Sequence, residues 1–337
     1  MIPEIYKAST DRYDTGMRYR RCGRSGVLLP EISLGLWHNF GSVDPLSRSF
    51  DIIHYAFDHG ITHFDLANNY GPVYGSAEET FGTIMRHSMR PYRDEMFIST
   101  KAGYDMWPGP YGDHGSRKYL MASIDQSLRR MNLDYVDLFY SHRFDPETPV
   151  EETLQALVDI VRSGKALYVG ISNWPAEAIP IAARYLKEHD TPLLIYQGRY
   201  NILDRKPEGG ILDACMEAGA GYIAFSPLAQ GLLTDRYLNG IPSDSRMAHE
   251  KHLKSSTLTE KMLKTIEVLN RIAADRGQSL AQMAVSWLLE KRGVTSVIVG
   301  ASSVSQLANT LQSIAPHPDL PDCHELIDRA IADPYSL

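Results

Sequence analysis

The sequence feature that most restricts the fold is an eightfold alternation of short apolar runs with amphipathic helical runs. The apolar runs, which we predict to be strands, are EISLGLW (31–37), THFDLA (62–67), EMFISTK (95–101), YVDLFYSH (135–142), ALYVGIS (166–172), LLIYQ (193–197), GYIAFS (221–226) and TSVIVG (295–300). Most are apolar on both faces, as strands of a parallel sheet covered on both sides should be. Eight strand–helix units in one chain predict an α/β fold of the (β/α)8 TIM barrel type.

The helical runs between the strands are predicted to begin near Asp44, Ser76, Ser116, Thr148, Trp174, Pro207, Leu258 and Ser303. Ser76, with Glu79 three residues later, predicts a capping box, and Gly60 predicts the end of the first helix. Two segments stand outside the repeat. GRSG (23–26) predicts the turn of an N-terminal β-hairpin, and residues 229 to 257 predict a long loop after the seventh strand. No linker interrupts the chain, so we expect a single domain over residues 1–337.

Composition and short motifs exclude several classes of protein. No run reaches the ~20 apolar residues of a membrane helix. The N-terminus has no basic region followed by an apolar run, so we do not expect a secretory signal. The three cysteines (Cys22, Cys215 and Cys323) are far apart and form no CxxC pair, so we expect reduced thiols and a cytoplasmic location. A net charge of −7 without a basic run argues against nucleic acid, and an anionic ligand would need a local positive site. GAGYIA (219–224) lies before and inside a strand, so it is not the GxGxxG of a doubly wound fold.

Three consecutive predicted strands end in titratable side chains. Asp65 ends the second strand and is followed by Tyr70, Lys101 ends the third, and His142 ends the fourth. Each alone has an ordinary explanation as a cap, packing or hydrogen-bonding residue, although a lysine ending a buried strand needs a partner for its charge. The C-terminal ends of barrel strands meet on one face. Together, therefore, these four residues predict an active site.

The four side chains suit the reduction of a carbonyl group. A free tyrosine has a pKa of about 10, and the ammonium of Lys101 would lower it by stabilising the phenolate. Asp65 would keep Lys101 charged and in place. Tyr70 would then give its proton to a developing alkoxide, while His142 orients the carbonyl oxygen. No side chain supplies a hydride, so we predict a nicotinamide cofactor.

In order and local context, Asp65, Tyr70, Lys101 and His142 resemble the catalytic tetrad of the aldo-keto reductases. Similar segments extend over nearly the whole chain: SLGLW, DLANNYG, STK, YSHR, GISN, YQGRYN, AFSPLAQGLLT and VIVGASS. Two longer segments, NNYGPVYGSAEE and STKAGYDMWPGPYG, are similar to the bacterial L-glyceraldehyde 3-phosphate reductases, a group near the potassium-channel β subunits.

The resemblance implies that NADPH lies extended across the mouth of the barrel. Ser172, Asn173 and Gln197 would hold the nicotinamide carboxamide, with Phe225 against the ring and Trp37 beside cofactor and substrate. The other cofactor-binding residues that it implies are Ser226, Leu228, Gln230 and Gly231 near the pyrophosphate, and Arg246, Gly300, Ser302 and Gln306 toward the adenosine end. At Ser303, Asn309 and Thr310 the chain departs from its relatives, which often carry arginine, glutamate and asparagine there. This leaves the choice between NADPH and NADH open.

The same resemblance implies an aldehyde substrate, namely L-glyceraldehyde 3-phosphate, with methylglyoxal as a second candidate. The residues expected around the substrate are Trp37, Tyr70, Trp107, His142 and Arg143, with His38 as a further candidate. The cations available for a substrate phosphate are Arg117, Lys118 and Arg143.

Other functions remain compatible with parts of the pattern. A cofactor-binding regulatory or redox-sensing subunit of the channel-β type would keep the tetrad. A Schiff-base lyase would need a deprotonated Lys101, which Asp65 opposes. A metal-dependent hydrolase would need a motif such as HxH or HExxH, which the sequence lacks. Because relatives include oligomers, we expect a homo-oligomer with a small-molecule substrate, and neither a nucleic acid nor a membrane as partner.

Overall fold

The computed structural model describes residues 6–238, 240–241, 254–314 and 323–336. A two-stranded antiparallel hairpin, β1 (Tyr19–Arg21) and β2 (Leu28–Pro30), precedes the main sheet, and its turn contains GRSG as predicted. The amide of Cys22 donates to the carbonyl of Val27 across this turn. The hairpin side chains Cys22 and Leu29 join a buried apolar cluster with barrel residues, so the hairpin packs onto the barrel.

Eight parallel strands form a closed barrel. They are β3 (Ile32–Gly35), β4 (His63–Asp65), β5 (Phe97–Ala102), β6 (Val136–Ser141), β7 (Ala166–Ser172), β8 (Leu193–Arg199), β9 (Gly221–Phe225) and β10 (Val294–Val299). They pair in sequence order, and β10 returns to pair with β3, which closes the ring. The (β/α)8 prediction is therefore confirmed, together with the position of every predicted strand.

Helices follow the strands and cover the outside of the barrel. They are α1 (Leu46–Asp58), α2 (Ser76–Ile84), α3 (Arg117–Met131), α4 (Val150–Arg162), α5 (Ala178–Glu188), α6 (Ile211–Ala218), α7 (Glu260–Asp275), α8 (Leu280–Glu290), α9 (Val304–Leu311) and α10 (His324–Ala332). The predicted helix starts lie within about four residues of these bounds. The separate helices α8 and α10 were not predicted.

The predicted capping box at Ser76 is wrong. Gly75, at φ +90°, is the residue that precedes α2, and Ser76 is already helical. The Ser76 hydroxyl is buried and has no hydrogen-bond partner among the described residues. A capping box does occur at α8, between Ser279 and Gln282. By contrast, Gly60 lies two residues after α1 at φ +81°, a conformation that suits glycine and confirms the predicted end of that helix.

The inside of the barrel is apolar on one side and polar on the other. The apolar side is formed by Leu138, Tyr140, Ile195, Ile223 and Ile298. The polar side is formed by buried side chains of β3, β4, β5 and β10: Ser33, His63, Ser99 and Ser296. Asp65 and Lys101 lie at the C-terminal end of this polar side.

No helix among the described residues is long and apolar enough to cross a membrane. No group of three or more histidine, cysteine, aspartate or glutamate side chains could hold a metal ion there.

Candidate active site

Lys101 joins two neighbouring strands and the loop beyond them. Its Nζ lies 2.6 Å from Asp65 Oδ2, 2.6 Å from the carbonyl oxygen of Leu66 and 3.3 Å from Tyr70 Oη. The register of β4 and β5 places Asp65 opposite Ser99, so Lys101, two residues later, points to the same inner face. The ammonium has three donors, and each has an oxygen to accept it.

Burial dominates the proton affinities of this group. It lowers the pKa of Lys101, and the carboxylate of Asp65 opposes that change. Burial also raises the pKa of Tyr70 well above its usual value, and Asp65 and Tyr104 act in the same direction. The net lowering of the Tyr70 pKa that we expected from the sequence is therefore not found in the protein alone. Tyr70 holds its proton at neutral pH, and Lys101 stands ready to stabilise the phenolate.

His142 lies beside Tyr70 and is neutral. Burial, followed by the charges of Lys101 and Arg143, lowers its pKa well below the usual 6.5. The His142 ring meets the Tyr70 ring edge-on at 5.9 Å and the Tyr104 ring at 4.7 Å between centroids. Its Nδ1 has no hydrogen-bond partner among the described residues. A neutral imidazole offers one N–H donor, so His142 is suited to donate a hydrogen bond to a neutral oxygen.

The mouth of the barrel opens into a cavity of about 970 Å³ that Asp65, Tyr70 and His142 line. Most of the residues that the sequence assigned to a cofactor also line it: Trp37, Asn173, Gln197, Phe225, Ser226, Leu228, Gln230, Gly231, Gly300, Ser302 and Gln306. Ser172 lies behind the wall, where its Oγ accepts from the Asn173 side chain at 3.1 Å. Arg246 lies outside the described residues.

The loop after β9 has an unusual backbone. Ser226, Ala229, Gln230 and Gly231 all have positive φ, at 56°, 45°, 60° and 103°. Non-glycine residues adopt this conformation at a cost of about 1–3 kcal/mol each, and such residues cluster at ligand sites. The Oε1 of Gln230 is also buried without a hydrogen-bond partner among the described residues. A polar ligand in this part of the cavity would satisfy it.

Three basic side chains that we did not predict also line the cavity. They are Arg199, Lys206 and Arg236, accompanied by the acidic Asp204. The guanidinium of Arg199 lies over the Phe225 ring, 5.9 Å from its centroid. In a chain of net charge −7, this cluster provides the local positive site that an anionic ligand needs. Arg199 ends β8, Lys206 lies between β8 and α6, and Arg236 lies in the loop after β9. No motif in the sequence connects them.

A TIM barrel with a buried Asp–Lys–Tyr group at its mouth agrees with the family to which the sequence matches. The Aldo/keto reductase family model matches residues 31–327. This chain belongs to the aldo/keto reductase family. It is 56% identical over 315 residues to the L-glyceraldehyde 3-phosphate reductase of Escherichia coli (strain K12), which is 92% of this chain and 91% of that protein. It is 36% identical over 305 residues to a probable voltage-gated potassium channel subunit beta of Arabidopsis thaliana, 88% of this chain and 91% of that protein.

Two residues that the sequence placed around the substrate of this aldo/keto reductase are not among those that line the described cavity. Trp107 packs on Tyr119, with ring centroids 5.0 Å apart. Arg143 donates from Nε to the carbonyl of Gly103 at 2.6 Å and from Nη2 to Asp113 Oδ1 at 2.7 Å. Arg143 therefore fixes the loop over residues 103–113 beside His142.

Neither of the two other candidate cations for a substrate phosphate lines the described cavity. Arg117, at the start of α3, forms an ion pair with Asp159 of α4. The Lys118 ammonium lies 5.1 Å from the centroid of the Tyr111 ring. The cavity is instead lined by His38, as expected, and by Asn39, Asn69 and Tyr104, which the sequence did not single out.

Proposed function

We propose that this aldo/keto reductase reduces an aldehyde to an alcohol with NADPH, and that Tyr70 is the general acid. The observation that carries the proposal is the position of Lys101 Nζ, 2.6 Å from Asp65 and 3.3 Å from Tyr70 Oη. The neutral His142 lies beside Tyr70, with ring centroids 5.9 Å apart. This arrangement offers one acid, one cation to stabilise its conjugate base, and one neutral hydrogen-bond donor.

The reaction needs a hydride, which a bound nicotinamide supplies. His142 donates a hydrogen bond to the carbonyl oxygen and orients it. As negative charge develops on that oxygen, Tyr70 transfers its phenolic proton to it, which completes the alcohol. Lys101 stabilises the resulting phenolate, and Asp65 keeps Lys101 protonated and in place. Solvent then returns a proton to Tyr70.

Three features support a phosphorylated dinucleotide as cofactor. The cavity is long enough to be lined both by Tyr70 and His142 and by Ser302 and Gln306. Its loop after β9 has four residues at positive φ, and backbone in that conformation forms concave anion sites. Arg199, Lys206 and Arg236 add positive charge.

Ser303, where relatives often carry arginine, accepts a hydrogen bond from the Gln306 amide at the start of α9. We propose NADPH rather than NADH because of the basic cluster.

The 56% identity to the Escherichia coli enzyme supports L-glyceraldehyde 3-phosphate as the substrate. Methylglyoxal is a second candidate, because it is a smaller aldehyde that needs the same proton and hydride. We also propose a cytoplasmic location, supported by three buried cysteines that form no disulfide.

The test is NADPH oxidation, followed at 340 nm, with L-glyceraldehyde 3-phosphate, methylglyoxal and a simple aromatic aldehyde, and repeated with NADH. The proposal expects rapid turnover of the phosphorylated triose with NADPH. It also expects that Tyr70→Phe binds NADPH like the wild type, measured by fluorescence titration, and loses most of its activity. Tight NADPH binding without turnover of any aldehyde would favour a regulatory subunit, which is what the 36% identity to a channel subunit suggests as the alternative.

A further inference from the structure

A chain of hydrogen bonds crosses the polar side of the barrel interior and ends on Asp65. Ser99 Oγ lies 2.8 Å from Asp65 Oδ1, and His63 Nε2 lies 2.9 Å from Ser99 Oγ. His63 Nδ1 lies 2.8 Å from Ser33 Oγ, which lies 2.7 Å from Ser296 Oγ. The four residues below Asp65 are completely buried. None of them lines the cavity, so the chain is separate from the ligand-binding wall.

The carboxylate at the end of the chain determines the position of every proton in it. An ionised carboxylate only accepts hydrogen bonds, so the hydroxyl of Ser99 donates to Asp65. A serine has one proton to donate, so Ser99 accepts from His63, and His63 therefore carries its proton on Nε2. Its Nδ1 is then an acceptor, so Ser33 donates to His63. The one proton of Ser33 is then used, so Ser296 donates to Ser33 at 2.7 Å rather than to the carbonyl oxygen of Glu31 at 3.4 Å.

The imidazole in the chain must be neutral for this order of donors and acceptors to hold. Burial lowers the pKa of His63 to about 4, and the charge of Lys101 acts in the same direction, whereas Asp65 opposes them. A neutral imidazole has one donor and one acceptor nitrogen. Ser99 needs the donor nitrogen of His63, and Ser33 needs the acceptor nitrogen. The hydrogen-bond pattern therefore agrees with a neutral His63.

We propose that Ser99 and His63 are positioning residues for Asp65. They form a directed chain of hydrogen bonds that holds Oδ1 of the carboxylate and leaves Oδ2 for Lys101. Gln197 Nε2 also donates to Oδ1, at 3.0 Å. The inference rests on the proposed function only where it concerns catalysis, because it assigns to Asp65 the task of holding Lys101 beside Tyr70.

Two physical effects explain how the chain of hydrogen bonds acts on Asp65. Hydrogen bonds in series polarise one another, so donors behind Ser99 strengthen its bond to Asp65 by about 10–30% each. Buried polar groups also depend on their partners. Loss of the Ser99 hydroxyl would leave the N–H of His63 without its acceptor and remove a donor from Asp65. Asp65 would then compete more strongly for the proton of Lys101, and the phenolate of Tyr70 would be less well stabilised.

The first test examines the chain of hydrogen bonds directly and does not depend on enzymatic activity. The protein is labelled with ¹⁵N-histidine, and the His63 signal is identified among the 12 histidines by its absence in His63→Gln. We expect the Nε2–H tautomer, with no titration of its signal between pH 5.5 and 8. In Asp65→Asn the amide would donate to Ser99, so the His63 proton should shift toward Nδ1. An Nδ1–H tautomer in the wild type, titration near pH 6.5, or no response to Asp65→Asn would each overturn the inference.

The second test compares matched variants in the reductase assay. Ser99→Ala and His63→Leu should lower kcat roughly 5- to 30-fold, with NADPH affinity unchanged, because each breaks a charge-assisted chain. His63→Gln should keep most of the activity, since a glutamine amide can donate to Ser99. Ser127→Ala removes an equally buried serine hydroxyl of α3 and should leave kcat unchanged.

A structural role alone predicts a different pattern. It would lower the melting temperature of Ser99→Ala and Ser127→Ala alike and leave kcat of the folded protein unchanged, and this result would overturn the positioning role. If His63→Leu does not fold, the comparison of Ser99→Ala with His63→Gln still distinguishes a positioning role from a structural one. If the wild type reduces none of the aldehydes, the proposed function fails, whereas the response of the His63 signal to Asp65→Asn still tests the link to Asp65.

Discussion

Lys101 Nζ lies 3.3 Å from Tyr70 Oη, and the lysine side chain is completely shielded from solvent. A buried cation at this distance gains most when the phenol becomes a phenolate, because few solvent dipoles compete with it. The same burial keeps the pKa of Tyr70 high in the protein alone. In the proposed mechanism, the proton of Tyr70 therefore leaves during the reaction rather than before it.

Removing the cation should abolish most of the reduction. We expect Lys101→Met to lower kcat by roughly 100-fold or more, the usual share of general acid catalysis, with NADPH affinity nearly unchanged. The single change leaves the Asp65 carboxylate buried without its cation, so the matched variant is Asp65→Asn with Lys101→Met, which keeps the volumes. The measurement is single-turnover NADPH oxidation by protein shown to be folded by circular dichroism. Wild-type rates in the double variant would contradict the role of Lys101.

The pH dependence of reduction should have no limb near neutrality. Tyr70 must carry its proton, and its pKa is raised well above 10 by burial, so its loss affects the rate only as pH rises above that range. His142 must be neutral, and its pKa is lowered well below 6.5, so it stays neutral as pH falls through 6.5. We expect kcat to be flat between pH 6.5 and 9 at saturating cofactor and substrate. A limb centred between pH 7 and 8 would contradict these protonation states.

The sequence was sufficient for the barrel and for the group at its mouth. The strand pattern located all eight strands. A lysine that ends a buried strand, such as Lys101, needs a partner for its charge, and this need indicated the site. The sequence was insufficient for Arg143 and Arg117. Both were expected to face a phosphate, but each is paired with a carboxylate, of Asp113 and Asp159, in another part of the chain. Such pairings depend on the side-chain geometry of distant segments, which periodicity does not report.

The chain of hydrogen bonds through His63 could not be predicted from the sequence either. Its members lie on four strands and are separated by up to 263 residues in sequence. Serines inside predicted strands look like ordinary small residues. The closure of β10 on β3 brings Ser296 to Ser33, and the pairing of β4 with β5 brings Ser99 to His63 and Asp65.

His63 should also make the stability of the fold depend on pH. Its pKa is about 4 in the folded protein and 6.5 in an unfolded chain, so the unfolded state binds the proton first as pH falls. The stabilisation is complete above pH 6.5 and is lost as pH falls toward 4. We expect this residue alone to lower the free energy of unfolding by about 2 kcal/mol between pH 7 and pH 5. Urea unfolding at both values should give a smaller loss for His63→Gln than for the wild type, and equal losses would contradict the assignment.

A second buried charge holds two helices against the barrel. Glu78 of α2 is completely buried, accepts from Thr100 at 2.6 Å and pairs with Arg130 Nε of α3 at 2.7 Å. Arg130→Met would leave this carboxylate without its cation, and we expect a loss of about 3–5 kcal/mol in the free energy of unfolding. The neighbouring exposed residue provides the control, since Arg129→Met should change stability by less than about 0.5 kcal/mol. Urea unfolding of the two variants measures the difference, and equal stabilities would contradict the role of the pair.

The basic cluster should control the affinity for the phosphorylated cofactor. Lys206 and Arg236 line the cavity, and neither takes part in the chemical steps proposed for Tyr70 and His142. We expect Lys206→Met and Arg236→Met each to raise the Kd for NADPH about 10- to 100-fold, the worth of one charged hydrogen bond, and to leave kcat at saturation nearly unchanged. Lys264→Met removes a lysine of α7 that pairs with Glu267 instead, and it should leave Kd unchanged. Fluorescence titration with NADPH and NADH completes the test. An unchanged Kd for NADPH in both cavity variants would show that the phosphates lie elsewhere.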